Sequence, residues 1–158
     1  MAVKPIPEGY ADKAIPYLAV EDAAGAIEFY KKAFGAKERG RMDAPGGKVG
    51  HAELEIGNAL VMLSDPFPQA STKPPKELGD TTSSIFMFVE DVDAVVKQAA
   101  DAGATVVMEP ENQFWGDRFG TIKDPFGHVW GIATHVEDVS PEEMAERGRE
   151  AMAAMGSN

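Results

Sequence analysis

The tripeptide Val-Glu-Asp occurs twice in the chain, at residues 20–22 and 89–91, an offset of 69 positions. Each copy closes a short apolar run, AIPYLAV in the first case and SSIFMFV in the second, and opens an amphipathic stretch that ends on Gly-Ala. Gly35-Ala36 and Gly103-Ala104 are 68 positions apart, so the second copy is one residue shorter between its landmarks. A solenoid needs at least three stacked repeats to bury its faces. A unit present only twice in 158 residues is instead a duplicated supersecondary element, the two copies sharing one core.

The local chemistry is the same in both copies. The apolar runs are short and bounded by polar residues, as buried strands are. Asp22 and Asp91 stand where an N-cap carboxylate accepts from unpaired helix N–H groups. Ala26, Ile27, Tyr30, Ala33 and Phe34 then fall at helical spacing, as do Val92, Val95, Val96, Ala99 and Ala100. Gly35 and Gly103 occupy the position of a left-handed C-cap. After the first helix, Ala52, Leu54 and Ile56 alternate with His51, Glu53 and Glu55, giving a strand with one apolar and one polar face. Gly57-Asn58 allows a tight turn into NALVMLSD. After the second helix come ATVVME, DRFGTIKD and HVWGIATH, the last two joined by the turn DPFGH.

The fold class is therefore α+β, with two strand–helix–strand–strand–strand modules at residues 14–66 and 82–136. Residues 67–81, rich in Pro, Ser and Thr and without periodicity, read as the linker. Residues 140–155 read as a terminal helix, with Ser140 as N-cap, Pro141 in the first turn and Glu143 at the capping-box position. Its Met144, Met152 and Met155 suit the covering of an apolar surface such as a homodimer interface.

Composition excludes several function classes. The chain has no cysteine, so disulfides, thiolate zinc sites and cysteine nucleophiles are ruled out. A net charge of −11 repels phosphate backbones and anionic lipid, which argues against nucleic acid and membrane as partners; it would attract a cationic or zwitterionic ligand, and the plain alternative is that it serves only solubility. No apolar run approaches the roughly 20 residues of a membrane span, and MAVKPIPEGYADKA has no apolar signal core, so a cytoplasmic protein is expected. No Gly-x-Ser-x-Gly elbow and no phosphate-binding glycine loop is present.

The duplicated units, the first helix VED…AIEFYKKAFG and the final hairpin DPFGHVW together resemble the vicinal oxygen chelate superfamily. That superfamily holds glyoxalases, extradiol dioxygenases, fosfomycin-modifying enzymes and bleomycin-binding resistance proteins. GHAELEIGNALVMLSD and FWGDRFGTIKDPFGHVWGIATH are most similar to its phosphonate-operon-associated, glyoxalase-like branch. The resemblance runs from about Ala14 to His135. It implies that each module curls its sheet into a half-barrel, with the helix on the convex side and the two concave sides around a ligand cavity. A fold of this kind hosts many activities, so function rests on the site.

The resemblance also implies a metal ligand, His, Glu or occasionally Gln, on the first and last strand of each module. The four positions fall here on Ile15, Met62, Ser84 and Gly131, none of which offers a nitrogen or a carboxylate oxygen. A slip of one residue gives Ala14 or Pro16, Val61 or Leu63, Ser83 or Ile85, and Trp130 or Ile132, which is no better. The chain is therefore expected to have neither the usual metal site nor another cofactor.

Two candidate groups remain. His51 and Glu53, two apart on the polar face of a strand, can reach one ligand, and either could serve as a general base; the plain alternative is a solvated sheet face. Tyr17, Met62, Phe86 and Phe88 share the face that the strand register assigns to ligand, and Trp115 with Arg118 stands in a loop that could cover it. Arg118 could clamp an anion bidentately or simply pair with an aspartate. The reading that follows is a metal-independent small-molecule-binding protein, paired as a homodimer, that holds its ligand in an aromatic, apolar cup. The rival is a metal-dependent lyase, isomerase or dioxygenase with a site relocated to His51 and Glu53. A third possibility is an interaction protein whose cup is filled by its own side chains.

Overall fold

A computed structural model describes residues 5–11 and 13–156. The first module consists of β1 (Tyr17–Ala19), α1 (Ala23–Phe34), β2 (Lys37–Ala44), β3 (Lys48–Ile56) and β4 (Ala59–Ser64). The second consists of β5 (Ser84–Phe88), α3 (Val92–Asp101), β6 (Thr105–Asn112), β7 (Asp117–Lys123) and β8 (Val129–His135). A single helical turn, α2 (Pro75–Leu78), interrupts the segment between them, and α4 (Pro141–Met155) ends the described chain. Each module forms a four-stranded mixed sheet, ordered β1-β4-β3-β2 in the first and β5-β8-β7-β6 in the second.

The offset of 69 read from the sequence is also the offset of the hydrogen bonds. Tyr17 lies opposite Met62 in the first sheet and Phe86 opposite Gly131 in the second, both in parallel pairs. The Val20 N–H donates to the Ser64 carbonyl, and the Val89 N–H to the Ala133 carbonyl. Even the helix starts match. The Ala23 N–H donates to Asp65 Oδ1 (3.4 Å) and the Val92 N–H to Thr134 Oγ1 (2.8 Å), so in each module a side chain after or on the last strand ties down the helix N-terminus.

The caps form as their chemistry requires. Asp22 accepts from the Gly25 N–H and Asp91 from the Ala94 N–H, each at 3.0 Å. Gly35 closes α1 at φ 65°, whereas α3 ends on Ala102 in a right-handed conformation and Gly103 follows at φ 118°. The Ser140 hydroxyl caps α4 through the Glu143 N–H at 3.2 Å. β2 is the one strand that the hydropathy pattern does not mark. It is a solvent-exposed edge whose charged residues protect its open side from pairing, and two register irregularities interrupt its pairing with β3. On it, Arg41, and after it Lys31 of α1, hold the Glu38 carboxyl down to about 2.

The two modules meet through their helices. The apolar face of β3 and β4 (Ala52, Leu54, Val61, Leu63) and the helix-facing residues of the second sheet (Ile122, Trp130, Ile132) belong to one core, filled by Ile27, Phe29 and Tyr30 of α1 and Val92 and Val96 of α3. Each large apolar side chain buried here contributes roughly 1.5–3 kcal/mol. Asp124, in the turn before β8, joins the halves. Its Oδ2 accepts from the Tyr30 hydroxyl of the first module (2.7 Å) and from Trp130 Nε1 (3.0 Å), and its Oδ1 from the Phe126 and His128 N–H groups. Burial, together with this carboxylate, pushes the Tyr30 phenol well above the usual tyrosine range. Gln98 of α3 adds two bonds to the carbonyls of Lys32 and Ala33 at the end of α1.

Because the helix-facing sides of both sheets converge on this core, their other sides point away from it. The two concave faces that the resemblance places around a cavity therefore do not face each other within the single chain. Tyr17 is 47% exposed, and Phe86 and Phe88 are 51% and 63% exposed, so neither outer face is covered by the other module.

Candidate functional site

The outer face of the first sheet carries a connected polar cluster. Alternation along β3 sends Ala52, Leu54 and Ile56 into the core and leaves His51, Glu53 and Glu55 half-buried on the other side. The same parity places Met62 of β4 beside Glu53, and Tyr17 of β1 beside Met62. The Tyr17 hydroxyl meets His51 Nδ1 at 3.0 Å, and His51 Nε2 faces Glu53 Oε1 at 3.4 Å. The second oxygen of Glu53 accepts from the Tyr10 hydroxyl at 2.6 Å. Tyr10 lies before the first module and has the Arg39 guanidinium 5.5 Å from its ring centre. The Tyr10 hydrogen bond, and after it the one from His51, holds the Glu53 carboxyl below the usual carboxylate range, and that same carboxylate pushes the Tyr10 phenol up.

A cleft of about 360 Å³ opens beside Tyr17 on this face. Ala19, Gly50 and Ser64 form its floor, and Phe67, Ala70 and Thr72 of the inter-module segment form one wall.

The outer face of the second sheet is aromatic. Phe88 and Phe86 project from β5 with ring centres 5.2 Å apart, and Phe86 stacks on Phe119 of β7 at 5.5 Å with 11° between the planes. Trp115 continues the row 6.1 Å from Phe119, and Phe114 follows at 5.0 Å. The Trp115 indole is held by a bond from Nε1 to Asp117 Oδ2 (2.9 Å). Asp117 also faces His135 Nδ1 at 2.8 Å through its other oxygen, while Asp138 stands 2.9 Å from His135 Nε2. These two carboxylates, Asp138 first, raise the His135 imidazole above its ordinary value. A larger cleft of about 610 Å³ runs from Phe86 and Phe88 to the β3–β4 turn at Ile56–Ala59 and to Phe34 of α1.

Of the residues singled out by sequence, the structure brings Tyr17, His51, Glu53 and Met62 together on one face, and Phe86, Phe88 and Trp115 together on another. It does not bring the two groups together within one chain. Arg118 is on neither face. It has the parity of Gly120 and Ile122, points to the helix side, and donates from Nε and Nη2 to the two oxygens of Asp93 on α3 at 2.6 and 2.8 Å. Of the two readings left open for it, anion clamp or aspartate pair, the structure forms an aspartate pair, which holds the Asp93 carboxyl below its usual range. Sequence reasoning overlooked two residues. Phe119 shares the parity of Asp117 and Thr121, a signal that was available in DRFGTIKD. Tyr10 approaches Glu53 from 43 residues away in a segment without periodicity, which gives no signal.

The metal positions of this fold do not fit an ion here. Met62 offers a thioether and Ser84 a lone hydroxyl, both poor ligands for a divalent ion, and Ile15 and Gly131 offer no side-chain donor atom. At Gly131 a ligating side chain would also have to displace two rings. A Cβ there would lie 2.9 Å from Phe119 Cε2 and 3.0 Å from Phe86 Cδ2, because the stacked rings cross the glycine. Among the described residues, no group of three His, Asp or Glu side chains is placed to hold a metal.

Comparison with known proteins agrees with the duplicated architecture. The profile of the Glyoxalase/Bleomycin resistance protein/Dioxygenase superfamily matches residues 12–132. An uncharacterized protein of Mycobacterium tuberculosis is 48% identical over 132 residues, which is 82% of this chain and 78% of that one. Among solved structures, TioX from Micromonospora sp. ML1 superposes with a TM-score of 0.64 at 27% identity, covering 80% of this chain and 100% of TioX. An Arabidopsis thaliana gene product superposes with a TM-score of 0.63 at 30% identity, covering 77% and 97%. The fosfomycin resistance protein FosX of Listeria monocytogenes shares the fold, with a TM-score of 0.62 at 16% identity over 85% of this chain and 98% of its own.

Proposed function

Since the chain belongs to the glyoxalase/bleomycin resistance protein/dioxygenase superfamily, we propose that it is a metal-independent binding protein for a small aromatic molecule. The observation that carries this reading is the row Phe88–Phe86–Phe119–Trp115 on the outer sheet face, in which Phe86 and Phe88 are exposed and Phe119 and Trp115 half-buried. Exposed apolar patches of this kind mark binding surfaces, and ring faces hold flat ligands and organic cations. The net charge of −11 favours a cationic ligand such as an aromatic amine. The positions Ile15, Met62, Ser84 and Gly131, none with a nitrogen or a carboxylate oxygen, support binding without a resident ion.

The cup is completed by a second copy of the chain. Each outer face lacks a cover, and β1 and β5 are edge strands with one side unpaired in the sheet. In a homodimer the first sheet of one protomer faces the second sheet of its partner, bringing the Tyr17–Met62 face opposite the aromatic row. Light scattering then returns twice the chain mass.

The test is a fluorescence titration. Phenethylamine is expected to change Trp115 emission saturably, and butylamine, with the same charge and no ring, is not. Trp115→Phe should abolish the signal, since Trp130 is buried. Equal responses to the two amines would overturn the reading. The rival reading, a lyase, isomerase or dioxygenase centred on His51 and Glu53, has the hydrogen-bonded pair in its favour, but among the described residues no third His, Asp or Glu side chain is placed with that pair to hold a metal.

A further inference from the structure

We propose that Tyr17 is the polar contact of the cup and acts as a proton acceptor, with His51 as the base behind it and Glu53 and Tyr10 as positioning residues. The proposal rests on the small-molecule reading above and adds which chemistry the ligand must carry: an O–H or N–H group that it can donate.

The argument starts from Glu53. Its Oε2 is taken by the Tyr10 hydroxyl at 2.6 Å, and its Oε1 faces His51 Nε2 at 3.4 Å. A carboxylate can only accept, so the proton of a neutral His51 is placed on Nε2. Nδ1 is then a bare lone pair, and the group 3.0 Å from it is the Tyr17 hydroxyl. Tyr17 must donate its proton to Nδ1, which leaves its oxygen lone pairs as the outward-facing polar feature. Tyr17 also lines both clefts that open on this side, of about 360 and 400 Å³, and is 47% exposed. At Tyr17 a ligand in either cleft would meet an acceptor and not a donor.

The proton balance is closed within the chain. When a ligand gives a proton to the Tyr17 oxygen, the Tyr17 proton passes to His51 Nδ1. The imidazolium that forms keeps its Nε2–H directed at the Glu53 carboxylate, which stabilises the new charge. The arrangement has the logic of nucleophile, base and orienting carboxylate, with a phenol in the first place. Tyr10 restrains Glu53 from outside the module, and the Arg39 guanidinium over its ring helps keep it there.

A phenol backed by a base is nucleophilic, and that gives a test independent of the natural ligand. The probe is 4-(2-aminoethyl)benzenesulfonyl fluoride, an aromatic cation. The Tyr17 oxygen would attack sulfur, the S–O bond would form as S–F breaks, fluoride would leave, and the phenolic proton would go to His51. Peptide mapping by mass spectrometry is expected to find one sulfonyl group per chain, on Tyr17. His51→Gln preserves a hydrogen-bonding side chain but not a base. It should slow labelling by tenfold or more, since a positioned base is worth about a hundredfold at the least. Glu53→Gln and Tyr10→Phe should slow it by about threefold each, as lost positioning contacts do. Melting temperature and phenethylamine binding, measured on the same variants, separate a lost relay from a lost fold or a lost cup. Should His51→Gln fail to fold, Glu53→Gln and Tyr10→Phe carry the test. Labelling at Tyr10 or at a lysine in place of Tyr17, or a Tyr17 rate indifferent to His51→Gln, would overturn the relay. If phenethylamine still binds in that case, the binding reading survives without it.

Discussion

Replacing Tyr30 by Phe tests the joint that turns the two sheet faces outward. Asp124 is 4% exposed and accepts four hydrogen bonds, of which the one from the Tyr30 hydroxyl, at 2.7 Å, is the only one that crosses between modules. The substitution keeps the ring and its contacts with Phe34 and Trp130, whose centres are 6.1 and 5.4 Å away, so no large cavity forms. What is lost is one hydrogen bond to a buried charged acceptor, worth about 1.5–3 kcal/mol. For a chain of this length each kcal/mol moves Tm by roughly 2–4 °C, so the expected fall is about 3–12 °C by differential scanning calorimetry. In a double-mutant cycle with Asp124→Asn the two losses should not add in full, because the Tyr30 contact is common to both. A Tm within about 1 °C of the parent protein, or strict additivity with Asp124→Asn, would refute the claim that this bond couples the halves.

Other outcomes follow from the same geometry. His135, between Asp117 and Asp138, has a folded pKa above its unfolded value. Its stabilising effect is present in full below the unfolded value and is lost as pH rises through the folded one. The difference in Tm between the parent and His135→Gln should therefore shrink from pH 5.5 to pH 8, and a difference that grows would contradict the assignment. Gly131→Leu must displace the Phe86 and Phe119 rings. It should weaken phenethylamine binding at least tenfold while costing only about 1–3 kcal/mol of stability by denaturant titration, since Phe86 is half-exposed and free to shift. Arg118→Ala breaks an exposed pair on the helix side, so it should cost at most about 1 kcal/mol and leave ligand affinity unchanged.

Much of the fold was legible because duplication and alternation are both periodic. The 69-residue offset gave strand equivalences that hold down to single hydrogen bonds, as in the Val20–Ser64 and Val89–Ala133 pairs. Alternation at Ala52, Leu54 and Ile56 fixed which side of β3 meets the helix, and with it the placement of His51 and Glu53. The same rule applied to β7 turns Arg118 inward with Ile122, which selects the aspartate pair over the anion clamp, and turns Phe119 outward. β2 escaped because an exposed edge strand has no buried face to write a pattern. Tyr10 escaped because its bond to Glu53 is a tertiary contact made by a loop. Alternation also states which face avoids the helix but not what covers that face, so an open surface reads in sequence like a closed cavity.

The most direct test is to wash the protein with chelator and titrate phenethylamine alone and then in the presence of Ni²⁺, Co²⁺, Mn²⁺ or Zn²⁺, following Trp115 emission and bound metal together. Ile15, Met62, Ser84 and Gly131 offer an ion no nitrogen or carboxylate oxygen, so on the proposed reading affinity should be the same in every arm and no ion should bind stoichiometrically. One tightly held ion per chain, with amine affinity raised tenfold or appearing only in its presence, would contradict the account.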